Sequence, residues 1–230
     1  MIGAEDIFFH EIDDIDRFVA INNKVIIRID FDPDKATTPG GIYMGSSYWD
    51  EAGHVPRYGE VICVPSKLIH REHSGFGIEW GTDIEIKKGD TVFFGKMASY
   101  ASPRITDKDK NTFYVIDYSD IILRLRGDEI YPLNGFVIVE KIVESVSSKG
   151  LILDFSKKQN KTRGIVRYTG KPLDYYFPVW SDINDPSLNI GDKVIFSLAG
   201  WTELEDERYC KLDKNLGYIQ GRWIIGTYED

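Results

Sequence analysis

The chain is poor in the residues that build disulfide frameworks and membrane spans. Its 230 residues include only two cysteines, Cys63 and Cys210, which provide no disulfide framework and fit a reducing compartment. No stretch approaches the roughly 20 apolar residues needed to cross a bilayer. The acidic N-terminus has neither the basic region nor the apolar region of a signal peptide. We therefore expect a cytoplasmic protein that does not interact with membranes.

Basic charge and catalytic motifs are scarce as well. The net charge is −9, and the absence of a basic stripe argues against nucleic-acid binding. The sequence has no Gly-x-Ser-x-Gly motif and no phosphate-binding loop. His70 and His73 have the spacing of a metal pair, but no third ligand cluster accompanies them. We predict a protein that is not an enzyme, with no catalytic residues, no metal and no cofactor.

The sequence does contain many short β-strand patterns separated by glycine-bearing turns. It has 21 glycines and 13% aromatic residues, and its Val, Ile and Tyr runs favour strands over helices. Only residues 4–20 place apolar side chains at three- and four-residue steps, which predicts a short amphipathic helix or a packed arm. The predicted fold class is all-β.

The same signals occur twice in the same order, which indicates a tandem repeat of about a hundred residues. Short length changes between the copies fall in loops, where they cost little. We therefore predict an N-terminal extension at 1–21, a first β-barrel at 22–126 and a second at 127–230. The repeated glycines, at offsets of 109, 105 and 102 residues, are Gly41 and Gly150, Gly59 and Gly164, and Gly89 and Gly191.

In each copy, glycine and small polar residues flank a short apolar tripeptide. Such segments bury too little surface to hold a fixed conformation, so we expect mobile loops. Three apolar side chains in a mobile loop suit an apolar groove on another protein. An ordinary hairpin loop whose apolar residues return to the core is the alternative. The candidate partner-binding residues are Gly41, Ile42, Tyr43 and Met44 in the first copy, and Gly150, Leu151, Ile152 and Leu153 in the second.

The order of these features resembles the GroES-type co-chaperonins, the lid proteins of chaperonin cages. The shared pattern is a strand, a loop with an apolar tripeptide, a glycine-led strand, a Gly-Asp turn and a closing strand. It covers roughly residues 22–125 and 130–228, and identifies the chain as a tandem, double-domain member, with divergent viral relatives. The resemblance implies two irregular β-barrels, a sevenfold ring, and tripeptides Ile42–Met44 and Leu151–Leu153 that dock in the apical-domain groove of a chaperonin ring.

Two functions follow from this resemblance. The first is a homo-oligomeric, co-chaperonin-like lid that assists protein folding in the cytoplasm, and the preserved loop pattern in both copies favours it. The second is a structural component of a virion or other large assembly, whose loops contact neighbouring subunits. The bulky aromatic residues favour the second function: Tyr43 within the first tripeptide, and Tyr48 and Trp49 beside it.

Overall fold

The chain divides into two compact units, Met1–Ile130 and Tyr131–Asp230. The computed structural model describes residues 9–29, 57–71, 77–79, 84–95, 98, 102–145, 157–171, 188–204 and 216–229. Regular structure in these ranges consists of β-strands and short 3-10 turns, which confirms the predicted all-β class. None of the helices within these ranges is long and apolar enough to cross a membrane.

An eight-stranded sheet has the order β1-β7-β8-β2-β3-β6-β9-β10, and its strands lie in the first unit except that β10 runs past the boundary at Ile130. Strands β4 and β5 form a separate pair. Strand β1 runs parallel to β7, whereas neighbouring strands from β7 to β9 pair antiparallel. The strands are β1 Phe9–Ile12, β2 Lys24–Arg28, β3 Tyr58–Cys63, β4 Ile69–Arg71, β5 Gly77–Glu79, β6 Thr91–Phe94, β7 Arg104–Asp107, β8 Thr112–Asp117, β9 Ile121–Arg126 and β10 Glu129–Pro132.

Strand β2 is the central element of this sheet, with β8 on one side and β3 on the other. Its consecutive residues Val25, Ile26 and Ile27 are all fully buried. Successive side chains of a strand point to opposite faces, so both faces of β2 are covered. The β-branched sequence suits this position because such side chains pack well on a pleated surface.

The N-terminal segment packs on the first unit as a strand and a 3-10 turn. Strand β1 is followed by a 3-10 turn at Ile15–Arg17, which begins where the carboxylate of Asp14 accepts a hydrogen bond from the Asp16 N–H at 3.0 Å. The described residues 9–20 do not form the amphipathic α-helix that was one of the two predicted alternatives. The apolar side chains of Ile12, Ile15 and Phe18 pack against a buried cluster of Ala20, Ile26, Ile105 and Phe113.

The second unit is built on a six-stranded sheet with the order β14-β15-β11-β12-β13-β16. Its core is a cluster of buried aliphatic side chains around Phe196, with Trp201 packed against it. The ring planes of Phe196 and Trp201 stack at a centroid distance of 6.4 Å. The strands are β11 Phe136–Ser145, β12 Lys157–Thr169, β13 Lys193–Phe196, β14 Thr202–Glu203, β15 Leu216–Gln220 and β16 Ile224–Thr227.

The Gly-Asp turns of the two units make the same backbone hydrogen bonds. In the first unit, the Gly89 N–H donates to the Val61 carbonyl at 2.8 Å, and the Val61 N–H donates to the Asp90 carbonyl at 2.8 Å. In the second unit, Gly191, Val166 and Asp192 repeat this pattern at 2.8 and 2.9 Å. Both glycines have positive φ, +89° and +98°, a conformation that glycine adopts without steric cost.

Two further glycines allow neighbouring strands to approach closely. A Cβ atom on Gly59 would lie 2.9 Å from the Arg28 carbonyl oxygen, and one on Gly164 would lie 2.3 Å from Val139 Cγ1 and 2.7 Å from the Glu140 carbonyl oxygen. Any side chain at these positions would push β3 away from β2, or β12 away from β11. The repeated glycines of the sequence therefore include two that packing requires.

We predict that Gly164→Ala destabilises the protein by about 1–3 kcal/mol, the usual cost of overpacking a tight core. The matched control is Gly226→Ala, because a Cβ atom at Gly226 meets nothing within 4 Å. The measurement is the free energy of unfolding in urea for both variants and the parent chain. Equal stability of the two variants would contradict the close approach of β11 and β12.

Candidate partner-binding site

The predicted partner-binding residues all lie outside the described residues. This holds for Gly41, Ile42, Tyr43 and Met44 in the first copy and for Gly150, Leu151, Ile152 and Leu153 in the second. Their docking role stays a prediction. The structure does describe the strand pairs that these segments join, which are β2–β3 in the first unit and β11–β12 in the second.

The first hairpin ends in an ion pair. Strands β2 and β3 pair antiparallel with Ile27 opposite Val61 and Arg28 opposite Glu60. The Arg28 guanidinium and the Glu60 carboxylate form a salt bridge between two half-exposed side chains. Such a pair contributes about 1 kcal/mol or less, so it sets the register of the hairpin end more than the stability of the unit.

A buried arginine fixes the point where the chain rejoins the sheet. Arg57 directly precedes β3, and its guanidinium carbon lies 4.4 Å from the ring centroid of Phe93. Its Nε–H donates to the Phe94 carbonyl at 3.3 Å, while the Phe94 N–H donates to the Arg57 carbonyl at 3.0 Å. A buried guanidinium needs such partners because an unpaired buried charge is costly. The point where the chain enters β3 after the first loop is therefore held in place.

The second hairpin stays paired over a longer stretch. Beyond Lys141 opposite Gly164, strands β11 and β12 continue through a register shift to Ser145 opposite Lys157. Only residues 146–156 separate the paired ends, whereas residues 29–59 lie between Arg28 and Glu60. The sequence repeat predicted equivalent loops, and the structure shows strand pairs of different length beneath them.

Both hairpins carry a cross-strand ion pair, and the order of its charges is reversed between the two units. In the first unit the basic residue is Arg28 on β2 and the acidic residue is Glu60 on β3. In the second unit the acidic residue is Glu140 on β11 and the basic residue is Arg167 on β12. Each pair keeps a neutral sum, so the reversal preserves the attraction between the strands.

The Gly-Asp turn of the first unit is fixed by a bidentate ion pair that sequence analysis missed. Both carboxylate oxygens of buried Asp90 accept hydrogen bonds from Arg126, at 2.7 Å each, and one also accepts from the Lys87 N–H at 2.9 Å. Burial by itself would raise the pKa of Asp90, but the hydrogen bonds from Arg126 and Lys87 outweigh it and hold the pKa below its ordinary value.

The described residues contain no group of three or more His, Cys, Asp or Glu side chains that could hold a metal ion. Of the two cysteines, Cys210 lies outside the described ranges, and Cys63 is a half-buried free thiol. The Cys63 thiol donates to the Phe18 carbonyl at 3.3 Å and accepts from the Ala20 N–H at 3.4 Å. It therefore ties the N-terminal segment to β3.

Residues 17–125, just under half of the chain, match the family model Cpn10, described as the chaperonin 10 Kd subunit. The first unit is similar to chaperonin 10. This match supports a GroES-type family for the unit, and that family consists of non-enzymatic co-chaperonins that work with a chaperonin as oligomers. The matched range includes Gly41–Met44, and Gly150–Leu153 lie beyond it. No curated protein sequence matches the chain.

We predict that Asp90→Asn lowers the unfolding free energy at neutral pH by about 1–3 kcal/mol, the range of a lost hydrogen bond to a charged group. The native pKa of Asp90 is lowered, so its contribution is present above the unfolded-state pKa of about 4 and is lost as the pH falls through the native pKa. The parent chain should therefore lose stability in acid more steeply than Asp90→Asn.

The control for this experiment is Asp192→Asn in the second unit. The Asp192 carboxylate accepts the Asn189 N–H at 2.7 Å, and no arginine in the described part of the chain is paired with it. This variant should lose less stability at neutral pH. Urea unfolding between pH 3 and 7 measures both effects, and parallel pH profiles for the parent and Asp90→Asn would refute the role of the ion pair.

Proposed function

We propose that the chain is a co-chaperonin-like lid protein of the cytoplasm that docks on a chaperonin ring and assists protein folding. The docking residues are Gly41, Ile42, Tyr43 and Met44 in the first unit and Gly150, Leu151, Ile152 and Leu153 in the second. The observation that carries the proposal is the match of residues 17–125 to chaperonin 10, because the first tripeptide lies inside the matched range.

The geometry of the first hairpin is consistent with docking by a loop on a fixed base. Arg28 and Glu60 are paired at its end, and buried Arg57 holds the chain where it returns to the sheet. A segment anchored at both ends can order on a partner without any change in the barrel. Ordering costs chain entropy and weakens each single contact, which suits a lid that must also come off.

The weakness of single contacts is offset when many loops dock together. A second loop on the same chain acts at a high effective concentration once the first has docked, so overall affinity rises steeply with the number of loops. The proposal therefore uses both tripeptides. The family match gives no support to the alternative of a virion component.

The test is binding to a purified chaperonin ring in the presence of nucleotide. The wild-type chain should co-sediment with the ring and change its ATPase rate. Ile42→Ser and Leu151→Ser should each weaken binding roughly 10- to 100-fold, because about 1.5–3 kcal/mol follows from burying an isoleucine or leucine side chain. The double variant should show no binding and no effect on the ATPase.

The matched control is Ile190→Ser, which removes an exposed isoleucine that is not part of either tripeptide. This variant should bind as the wild type does. The proposal fails if the wild-type chain does not bind, or if the double variant binds as tightly as the control.

A further inference from the structure

Residues 9–16 add a strand to the sheet at a place that the family match does not include. The matched range begins at residue 17, whereas β1 precedes it and pairs parallel with β7 at the sheet edge. The six strands from β7 to β9 correspond in order to the whole six-stranded sheet, so β14 is the counterpart of β7. In the part of the second unit that the structure describes, no strand pairs with the outer side of β14. Strand β1 is therefore an addition that one unit has at this edge.

Three weak contacts hold residues 9–16 in place. Strand β1 forms four parallel residue pairs with β7. The half-buried side chains of Ile12 and Ile15 pack on the buried cluster beneath them. The Asp16 carboxylate accepts a hydrogen bond from Lys88 Nζ at 2.8 Å, between side chains that are 70% and 65% exposed. An ion pair this exposed contributes little, and segments with few buried contacts open locally before the whole protein unfolds.

The residues that follow are held separately, so residues 9–16 can leave without displacing them. The 3-10 turn ends before Phe18, which is extended. The Phe18 carbonyl and the Ala20 N–H both bind the Cys63 sulfur, at 3.3 and 3.4 Å. Opening up to this point would free the outer backbone groups of β7 and uncover the side of the cluster on which the two isoleucines pack.

We infer that the β7 edge is a strand-addition site for an extended segment of another protein, and that residues 9–16 occupy this site in the free chain. A strand added to a sheet edge gains affinity from main-chain hydrogen bonds and specificity from its side-chain contacts. The segment already seated there defines the chemistry of the partner, which is an extended acidic stretch with two apolar side chains three positions apart. The apolar positions are those of Ile12 and Ile15, and the carboxylate that meets Lys88 is that of Asp16.

Occupation by the chain's own segment regulates this site. An open sheet edge pairs readily with other chains, and residues 9–16 cover the edge until a partner displaces them. A partner binds only the fraction of molecules in which the site is open, so its apparent affinity is reduced by that fraction. The inference uses contacts of the first unit and does not involve the two tripeptides.

The experiment measures binding of a fluorescent synthetic peptide, with the sequence of residues 9–16, to the full chain by fluorescence anisotropy. In the double variant Ile12→Lys and Ile15→Lys, the chain's own segment loses both apolar anchors and leaves the site open. The peptide should bind this variant about tenfold or more tightly than the wild type, as follows for a site that is open in about a tenth of wild-type molecules or fewer.

The matched control is Asp13→Lys, at an exposed position directly after β1. It adds the same positive charge as the double variant but leaves Ile12 and Ile15 in place, so it should bind the peptide as weakly as the wild type does. A peptide that itself carries Ile12→Lys and Ile15→Lys should not bind the open variant.

A charge reversal tests the position of the peptide on the site. Lys88→Glu, added to the double variant, should weaken peptide binding about two- to fivefold, the scale of an exposed ion pair. A peptide that carries Asp16→Lys should restore the lost affinity, because it again places opposite charges together.

Hydrogen exchange of the wild-type chain provides a measurement that requires no variant. The amides of residues 9–16 should exchange much faster than those of β2, because the site opens locally. Equal exchange of the two segments, or equal peptide binding by the wild type and the double variant, would overturn the inference. So would competition by unlabelled wild-type chain as strong as that by unlabelled peptide, which would assign the site to a second copy. No chaperonin is present in these measurements, so a negative result leaves the docking proposal standing.

Discussion

The hydrogen-bonded contact between a Gly-Asp turn and the strand that leaves each loop is the constraint on which the rest of each unit depends. Val61 and Val166 are fully buried, and each has both backbone groups bonded to the turn, at 2.8 to 2.9 Å. Buried backbone groups must be paired, so the turn cannot move away without exposing or orphaning them. This contact fixes where β6 and β13 begin relative to β3 and β12, and thereby the strand pairs that join the candidate loops.

The features that the sequence predicted are those with a local cause. Gly89 and Gly191 could be predicted as turn residues because a positive φ favours glycine. Strand β2 could be predicted because a run of β-branched residues favours a buried strand. The ion pair of Asp90 with Arg126 could not be predicted, because its partners lie 36 residues apart. The contact of Cys63 with Phe18 is of the same kind, since it depends on how the N-terminal segment folds back.

The N-terminal segment shows how one pattern can serve two structures. Apolar residues at three- and four-residue steps are typical of a helix, but a strand, a 3-10 turn and an extended stretch can deliver Ile12, Ile15 and Phe18 to the same cluster. Likewise, the sequences of β9 and β16 both begin with two isoleucines, and nothing local indicates that Ile122 is buried and Ile225 exposed. Whether such an isoleucine is buried depends on the neighbouring strand. The sequence of a single strand does not reveal what lies beside it. The candidate tripeptides remain predictions for a different reason, since they lie outside the described residues.

The proposed docking depends on the number of loops that act together. The docking proposal concerns the segments that join β2 to β3 and β11 to β12. A lone tripeptide must offset the entropy cost of ordering its own loop. A second tripeptide on the same chain raises the overall affinity, but only where one chain can reach both binding grooves. Several chains in one assembly would hold many such loops together, and the effective concentration of each would then be set by its neighbours.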